Sequence, residues 1–216
     1  MYQLHRGHAP AFLANYQHGV HVWDHTCPTP PERTQLWILL NTMQERRCSY
    51  CECSLDAHGG HIEHFRQRSR YPQGTFDWTN LFGSCDREHS CGKHKDKCGA
   101  YAPGDLIKPD IEDPERYFLF ASDGTIALRP NLNQQERHRA METLRIFNLD
   151  QMNGPLRAMR KIAAKPYLET AEAIRSLAAQ YPLEQWLPFW EGEVAQTRSL
   201  PFCTTIKHTL TPSLAQ

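Results

Sequence analysis

The chain has 216 residues and an apolar fraction of 40%, enough for a hydrophobic core and compatible with one large domain or two small ones. Its 24 basic residues balance 24 acidic ones, so any contact with nucleic acid has to come from a local patch and not from bulk charge. The first thirty residues contain no long apolar stretch, and no run approaches the roughly 18 apolar residues of a spanning helix, which points to a cytoplasmic protein with no membrane partner. In a reducing compartment the eight cysteines are expected as metal ligands or buried thiols, not as a disulfide framework.

Residues 1–31 are rich in His, Pro and aromatics with little periodicity, which fits either an irregular arm packed on the body or a partly disordered tail. Pro31 to Arg47 predicts a helix, with a proline in the first turn and Leu36, Leu39, Leu40 and Met43 on one face. From Cys48 to Cys98 the pattern changes to paired cysteines, a Gly59-Gly60 turn and short extended pieces, with too few aliphatics to form a core unaided. A hairpin follows, YFLFA and TIALR flanking Ser122-Asp123-Gly124, and is expected to border the cysteine-rich part. The remainder reads as helical: Asn133 to Leu149, a run from Gly154-Pro155 to about Gln180, and a short helix after Pro182. The Pro-, Thr- and Ser-containing tail from Ser199 to Gln216 is expected to be irregular. No internal repeat is present. The boundaries fall into an arm with its helix (1–47), a cysteine-rich core with its hairpin (48–130) and a helical region (131–216).

Cys48-x-x-Cys51 has the spacing at which a tight turn presents two thiolates to one tetrahedral ion. Cys85 stands 34 residues after Cys51 and is followed by Cys91, and a structural Zn²⁺ held by all four would pin the ends of that segment together. The second pair is irregular, with five intervening residues, so His89, Cys53 and Cys98 remain as substitute ligands. Cys27 and Cys203 read as ordinary core or free thiols.

Within the segment stands His61-Ile62-Glu63-His64. A carboxylate suits a hard cation, and a neutral, metal-free imidazole suits deprotonation of water; phosphodiester cleavage uses both. In a regular strand Glu63 and His64 would point to opposite faces, so a strand end or bulge is expected between them. Arg66, Arg68 and Arg70 recur with period two and in an extended segment would form one cationic row along a phosphate backbone, with Lys93, Lys95 and Lys97 as a second basic cluster. Trp78 is expected to be a core anchor.

The order CSYC, IEHF, WTNLFGSC and CGKHKD resembles the HNH endonucleases, and most nearly the HNH component that accompanies an ATPase in Septu-type and retron-associated antiphage systems. The segments DLIKP, DPERYF and RAMETLRIFNLD are similar as well, so the resemblance extends over roughly residues 6–160. It implies an α+β fold: a ββα-metal core braced by a four-cysteine zinc site, with the α-helical C-terminal region available to dock the ATPase. By motif, His64 is implied as the general base, Asn80 as the residue orienting its ring, and Glu63 as the ligand of a catalytic Mg²⁺ or Mn²⁺. Many HNH proteins place His or Asn directly after the last zinc cysteine, where Gly92 stands here, so His94 is expected to substitute as second metal ligand. The implied partners are a nucleic acid (DNA favoured, with RNA or tRNA as the alternative) contacted by Arg66, Arg68, Arg70, Lys93 and Lys95, and an ATPase subunit, with or without a reverse transcriptase and its DNA. The competing expectation is a zinc-braced binding module without chemistry, which would have no need of Glu63, His64 and Asn80 together.

Overall fold

The computed structural model describes residues 1–212, a mixed α and β structure in which small sheets are embedded among helices. The N-terminal arm packs on the body through buried Met1, Leu4 and Leu13, with one 3-10 turn at Ala11–Asn15. Arg6 fixes it there. Its guanidinium pairs with Asp110 at 2.6 Å, donates to the carbonyls of Trp78 and Leu81, and lies over the Trp78 and Phe82 rings. Trp78 is buried, as expected of a core anchor, and its indole N–H donates to the Gly7 carbonyl.

Helix α1 (Pro30–Gln44) starts where the Glu32 carboxylate accepts from Thr29 N–H, and it buries Leu36, Leu40 and Met43. It ends short of the expected Arg47, because Glu45 and Arg46 take left-handed backbone at φ 50° and 58°. That reversal lets the Gln44 amide clamp two segments at once: it donates to the Arg47 and Gly83 carbonyls and accepts from Gly83 N–H. A four-residue helix α2 (Leu55–His58) leads into β1 (Gly60–His64), which pairs antiparallel with β2 (Leu81–Cys85) in the register Gly60↔Cys85 to His64↔Leu81. Helix α3 (Cys91–Lys97) packs against β2.

The second hairpin, β3 (Phe118–Phe120) and β4 (Ile126–Leu128), stands where the sequence places it. Gly124 in its turn has φ 93°, and an added Cβ would fall 2.0 Å from the Arg157 carbonyl oxygen, so glycine is required for both reasons. Beyond it come α4 (Gln134–Ile146), capped by Asn133 with Glu136, α5 (Pro155–Ala164), α6 (Leu168–Gln180) and α7 (Leu183–Thr197). The expected single run to Gln180 is divided by a 3-10 turn at Lys165–Tyr167, where Pro166 has no N–H to continue the helical ladder.

The tail corrects the sequence expectation. It forms α8 (Cys203–Leu210), with Pro201 and Pro212 outside its ends, and residues 213–216 lie outside the described region. Thr204, Thr205, Ile206 and Thr209 are weak helix formers, but all are buried, and α8 packs on α5, α6, α7 and β3. Tertiary burial decides the conformation there. The His208 Nδ1 accepts from Phe120 N–H, so its Nε2 carries the proton and donates to Glu115 at 3.0 Å, and Lys207 pairs with the same carboxylate at 2.8 Å.

Burial pushes the Glu115 carboxyl up, and the bonds from His208 and Lys207 overcome it, leaving a pKa of about 2. A carboxyl whose pKa is depressed on folding stabilises the folded state above its unfolded pKa near 4.5, and that stabilisation disappears as pH falls toward 2. The shift corresponds to on the order of 3 kcal/mol. Glu115→Gln is therefore expected to lower stability at neutral pH and to flatten the loss between about pH 4.5 and 2, as read by urea unfolding across that range.

Candidate metal centre and acid-histidine site

Three segments converge on the cysteines. Cys48 and Cys51 come from the turn after α1, closed by Cys48 N–H to the Cys53 carbonyl and by Glu52 in left-handed backbone at φ 67°. Cys85 ends β2, and Cys91 opens α3 with φ 56°, a conformation unusual for a side-chain-bearing residue and held by its N–H bond to the Phe147 carbonyl at 2.7 Å. All four thiols are buried, and their sulfurs lie within 4.8 Å of one another. Among the described residues no other group of three or more His, Cys, Asp or Glu side chains is so placed. Tetrahedral zinc with bonds of about 2.3 Å needs sulfurs about 3.8 Å apart; Cys51 and Cys85 are 3.9 Å apart. The donor set fits Zn²⁺, which would also offset the charge of thiolates that could not otherwise share a buried site. His89 is exposed, and the Cys98 sulfur turns toward His94 and the Ile146 carbonyl, so neither belongs to the set.

Glu63 and His64 end β1 without a bulge. The expected irregularity is absent, and the two side chains leave opposite faces of the strand. Glu63 faces α3 at its tightest approach: a Cβ on Gly92 would fall 2.3 Å from Glu63 Cγ and 3.0 Å from His61 Nε2. His64 faces the loop after β1, where its Nε2 lies 2.9 Å from the Thr75 carbonyl oxygen and the Trp23 ring stands perpendicular to the imidazole with centroids 4.6 Å apart. A carbonyl accepts only from N–H, so the proton resides on Nε2. Burial, with minor help from Arg68, Lys95 and Arg33 and against the Thr75 bond, holds the His64 pKa near 3. The ring is neutral at physiological pH and Nδ1 carries a lone pair.

Several other expectations are corrected. Asn80 does not bond to the His64 ring. Its amide accepts from Arg66 N–H and donates to the Arg66 and Gly74 carbonyls, so it ties together the two ends of the loop that carries Thr75. His94 does not face Glu63; its Nδ1 lies 2.9 Å from the Ile146 carbonyl oxygen at the end of α4. The Arg66, Arg68 and Arg70 row does not form, because the chain leaves the strand at His64 and enters turns. Arg66 pairs with Asp77, Arg68 donates to the Trp23 carbonyl, and Arg70 stands exposed in a turn. Lys93 is engaged by Glu88 and Asp86, and Lys97 by Glu88.

Lys95 departs furthest from expectation. It is fully buried and cannot reach a phosphate backbone. Its ammonium pairs with Glu63 at 2.5 Å and Asp96 at 2.8 Å and donates to the His64 carbonyl at 2.6 Å. The other Glu63 oxygen accepts from Tyr50 Oη. Burial opposes both charges, but the carboxylates of Glu63 and Asp96 beside the nitrogen raise the Lys95 pKa above its ordinary value. The donors expected for a catalytic Mg²⁺ or Mn²⁺ therefore do not fit: Glu63 is enclosed, Gly92 has no side chain and His94 is turned away.

Tyr50, Thr75 and Trp23 were not anticipated from the sequence. Thr75 contributes only a carbonyl and so leaves no side-chain signal. Tyr50 stands inside the Cys48-Ser49-Tyr50-Cys51 knuckle, which could have marked it as close to the centre.

No family model matches the chain. The chain is similar to a curated bacterial Septu protein. That relative, Septu protein PtuB of Bacillus thuringiensis, is 24% identical over 198 residues, covering 85% of this chain and 67% of the relative. Among the described residues no helix is long and apolar enough to cross a membrane.

Purified chain is expected to contain close to one zinc per molecule by elemental analysis. Cys85→Ser, which removes a ligand at the end of β2, should lose the metal and the cooperative thermal transition together, since binding energy at a structural zinc is folding energy.

Proposed function

We propose that this chain is a zinc-braced nuclease of the HNH type, acting in an antiphage defence complex with an ATPase partner. The observation that carries the chemistry is His64: a neutral imidazole at the end of a strand, its Nε2 proton committed to Thr75 and its Nδ1 free to accept a proton. Hydrolysis of a phosphodiester uses a general base, and the burial that keeps this imidazole neutral also weakens it until the cover over the ring moves. Water would lose a proton to Nδ1 as its oxygen bonds to phosphorus; the bond to the leaving sugar oxygen would break with its electron pair on that oxygen, which takes a proton from solvent while Nδ1 returns its own. Asn80 supports the base through the loop backbone that carries the Thr75 carbonyl. The antiparallel β1–β2 pair, the adjoining α3 and the four cysteines support the HNH reading, and the similarity to a Septu protein supports the defence role. The partner is expected to dock on the helical half.

His64 is only 6% exposed beneath Trp23. A substrate has to displace the N-terminal arm, so the chain alone is expected to cleave poorly. The enclosure of His64 and Glu63 also favours a second reading, a zinc-braced module that binds nucleic acid or protein without cleaving it.

The test presents plasmid DNA and total tRNA to the chain with and without its ATPase partner. His64→Ala is expected to reduce cleavage by roughly 100-fold or more while zinc content stays unchanged. Equal cleavage by wild type and His64→Ala would end the catalytic assignment. A histidine with a pKa of about 3 is already unprotonated throughout the range from about pH 5 to 7. The kcat/KM profile, which reports the free chain with the arm in place, is accordingly expected to show no inflection near about pH 6.5 that His64 variants remove.

A further inference from the structure

The ammonium of Lys95 donates to the His64 carbonyl and is ion-paired with Glu63 at 2.5 Å and Asp96 at 2.8 Å, the first of these being the one close contact of a Glu63 oxygen that has no hydrogen-bond partner. It has no exposed side-chain surface, and its own backbone carbonyl is secured by the Gln67 amide at 2.9 Å. Glu63 is equally closed, with one oxygen on Lys95, the other on Tyr50 and no exposed side-chain surface. Where the second metal-ligating residue would be expected, Gly92 leaves room for nothing: the backbone of α3 lies directly against Glu63 and His61. Close packing at Gly92 and charge pairing at Lys95 therefore address the same carboxylate.

We propose that Lys95 is the resident cation of this site: its ammonium occupies the position beside Glu63 that a divalent ion would take, and the pair acts as a positioning device for His64. The Lys95 bond to the His64 carbonyl ties the last residue of β1 to α3, so the ion pair fixes the backbone from which the imidazole projects. A divalent ion brought to Glu63 would meet an ammonium with nowhere to go and would have to desolvate in an already neutralised pocket. The proposal rests on reading His64 as the reacting base. Its test uses no substrate, so a failure of the nuclease reading and a failure of this one are separable.

Mn²⁺ binding to the zinc-loaded, full-length chain is measured by the loss of the free-ion paramagnetic signal, with wild type, Glu63→Gln, Lys95→Met and Lys95→Arg compared. Zinc stays with the thiolates and Mn²⁺ seeks oxygen, so the two metals report on different sites. Wild type and Lys95→Arg are expected to take up no stoichiometric Mn²⁺. Lys95→Met, which frees Glu63 and Asp96, is expected to gain at least roughly 10-fold in Mn²⁺ affinity, since removing the like charge removes the main opposition to a second cation. One Mn²⁺ bound by wild type and lost in Glu63→Gln would overturn the proposal. So would a zinc-loaded, cooperatively folding Lys95→Met protein with no gain in affinity. Should Lys95→Met fail to fold, the wild-type and Glu63→Gln measurements decide the matter alone.

Discussion

Everything in the central part of this molecule depends on four buried sulfurs sharing one place. The segment from Cys48 to Cys98 has two five-residue strands, two short helices and few aliphatic side chains, which is too little apolar surface to overcome the conformational entropy of so much irregular backbone. A tetrahedral ion held by Cys48, Cys51, Cys85 and Cys91 would join the turn after α1, the end of β2 and the start of α3 at one point. The left-handed backbone at Glu52 and Cys91 is tolerable because the sulfurs must converge there.

From that anchor a second layer of polar clamps extends outward, each bridging segments distant in sequence. Gln44 holds β2 to the end of α1, Asn80 gathers the loop after β1, and Lys95 joins α3 to the end of β1. Each is buried with its bonding groups largely met, and each fixes backbone. His64 is held by backbone on one side and the Trp23 ring on the other, which leaves its Nδ1 as the one ring nitrogen not engaged by the Thr75 carbonyl. The site is therefore organised through main-chain carbonyls to a degree that no inventory of ionisable residues would suggest.

Legibility in the sequence follows the same division. Spacing identified the four cysteines, the helix after Pro30 and the hairpin around Gly124, because each depends on local geometry or on a simple repeat. The arginine row assumed an extended chain beyond His64, and it failed with that assumption. Lys95 looked like part of a basic run because its partners, Glu63 and the His64 carbonyl, lie far back along the chain in another element. Helix α8 was hidden for the opposite reason: its threonines argue against a helix until the apolar faces of α5, α6 and α7 are there to cover them. The role of Asn80 was misassigned because the sequence names the side chain but not the carbonyls it would find.

Arg47 gives the two halves of the molecule a common fate. Fully buried, it follows the reversal after α1 and precedes Cys48, and its guanidinium donates to the carbonyls of Arg198 and Leu200 and to the Cys203 sulfur. Beside it, Phe202 N–H reaches the Glu52 carbonyl within the cysteine knuckle. A fragment cut after the second hairpin would strand a buried guanidinium without these acceptors next to the four cysteines. The helical half is thus the lining of the knuckle, and force applied to α7 or α8 is delivered within a few bonds to the sulfur cluster.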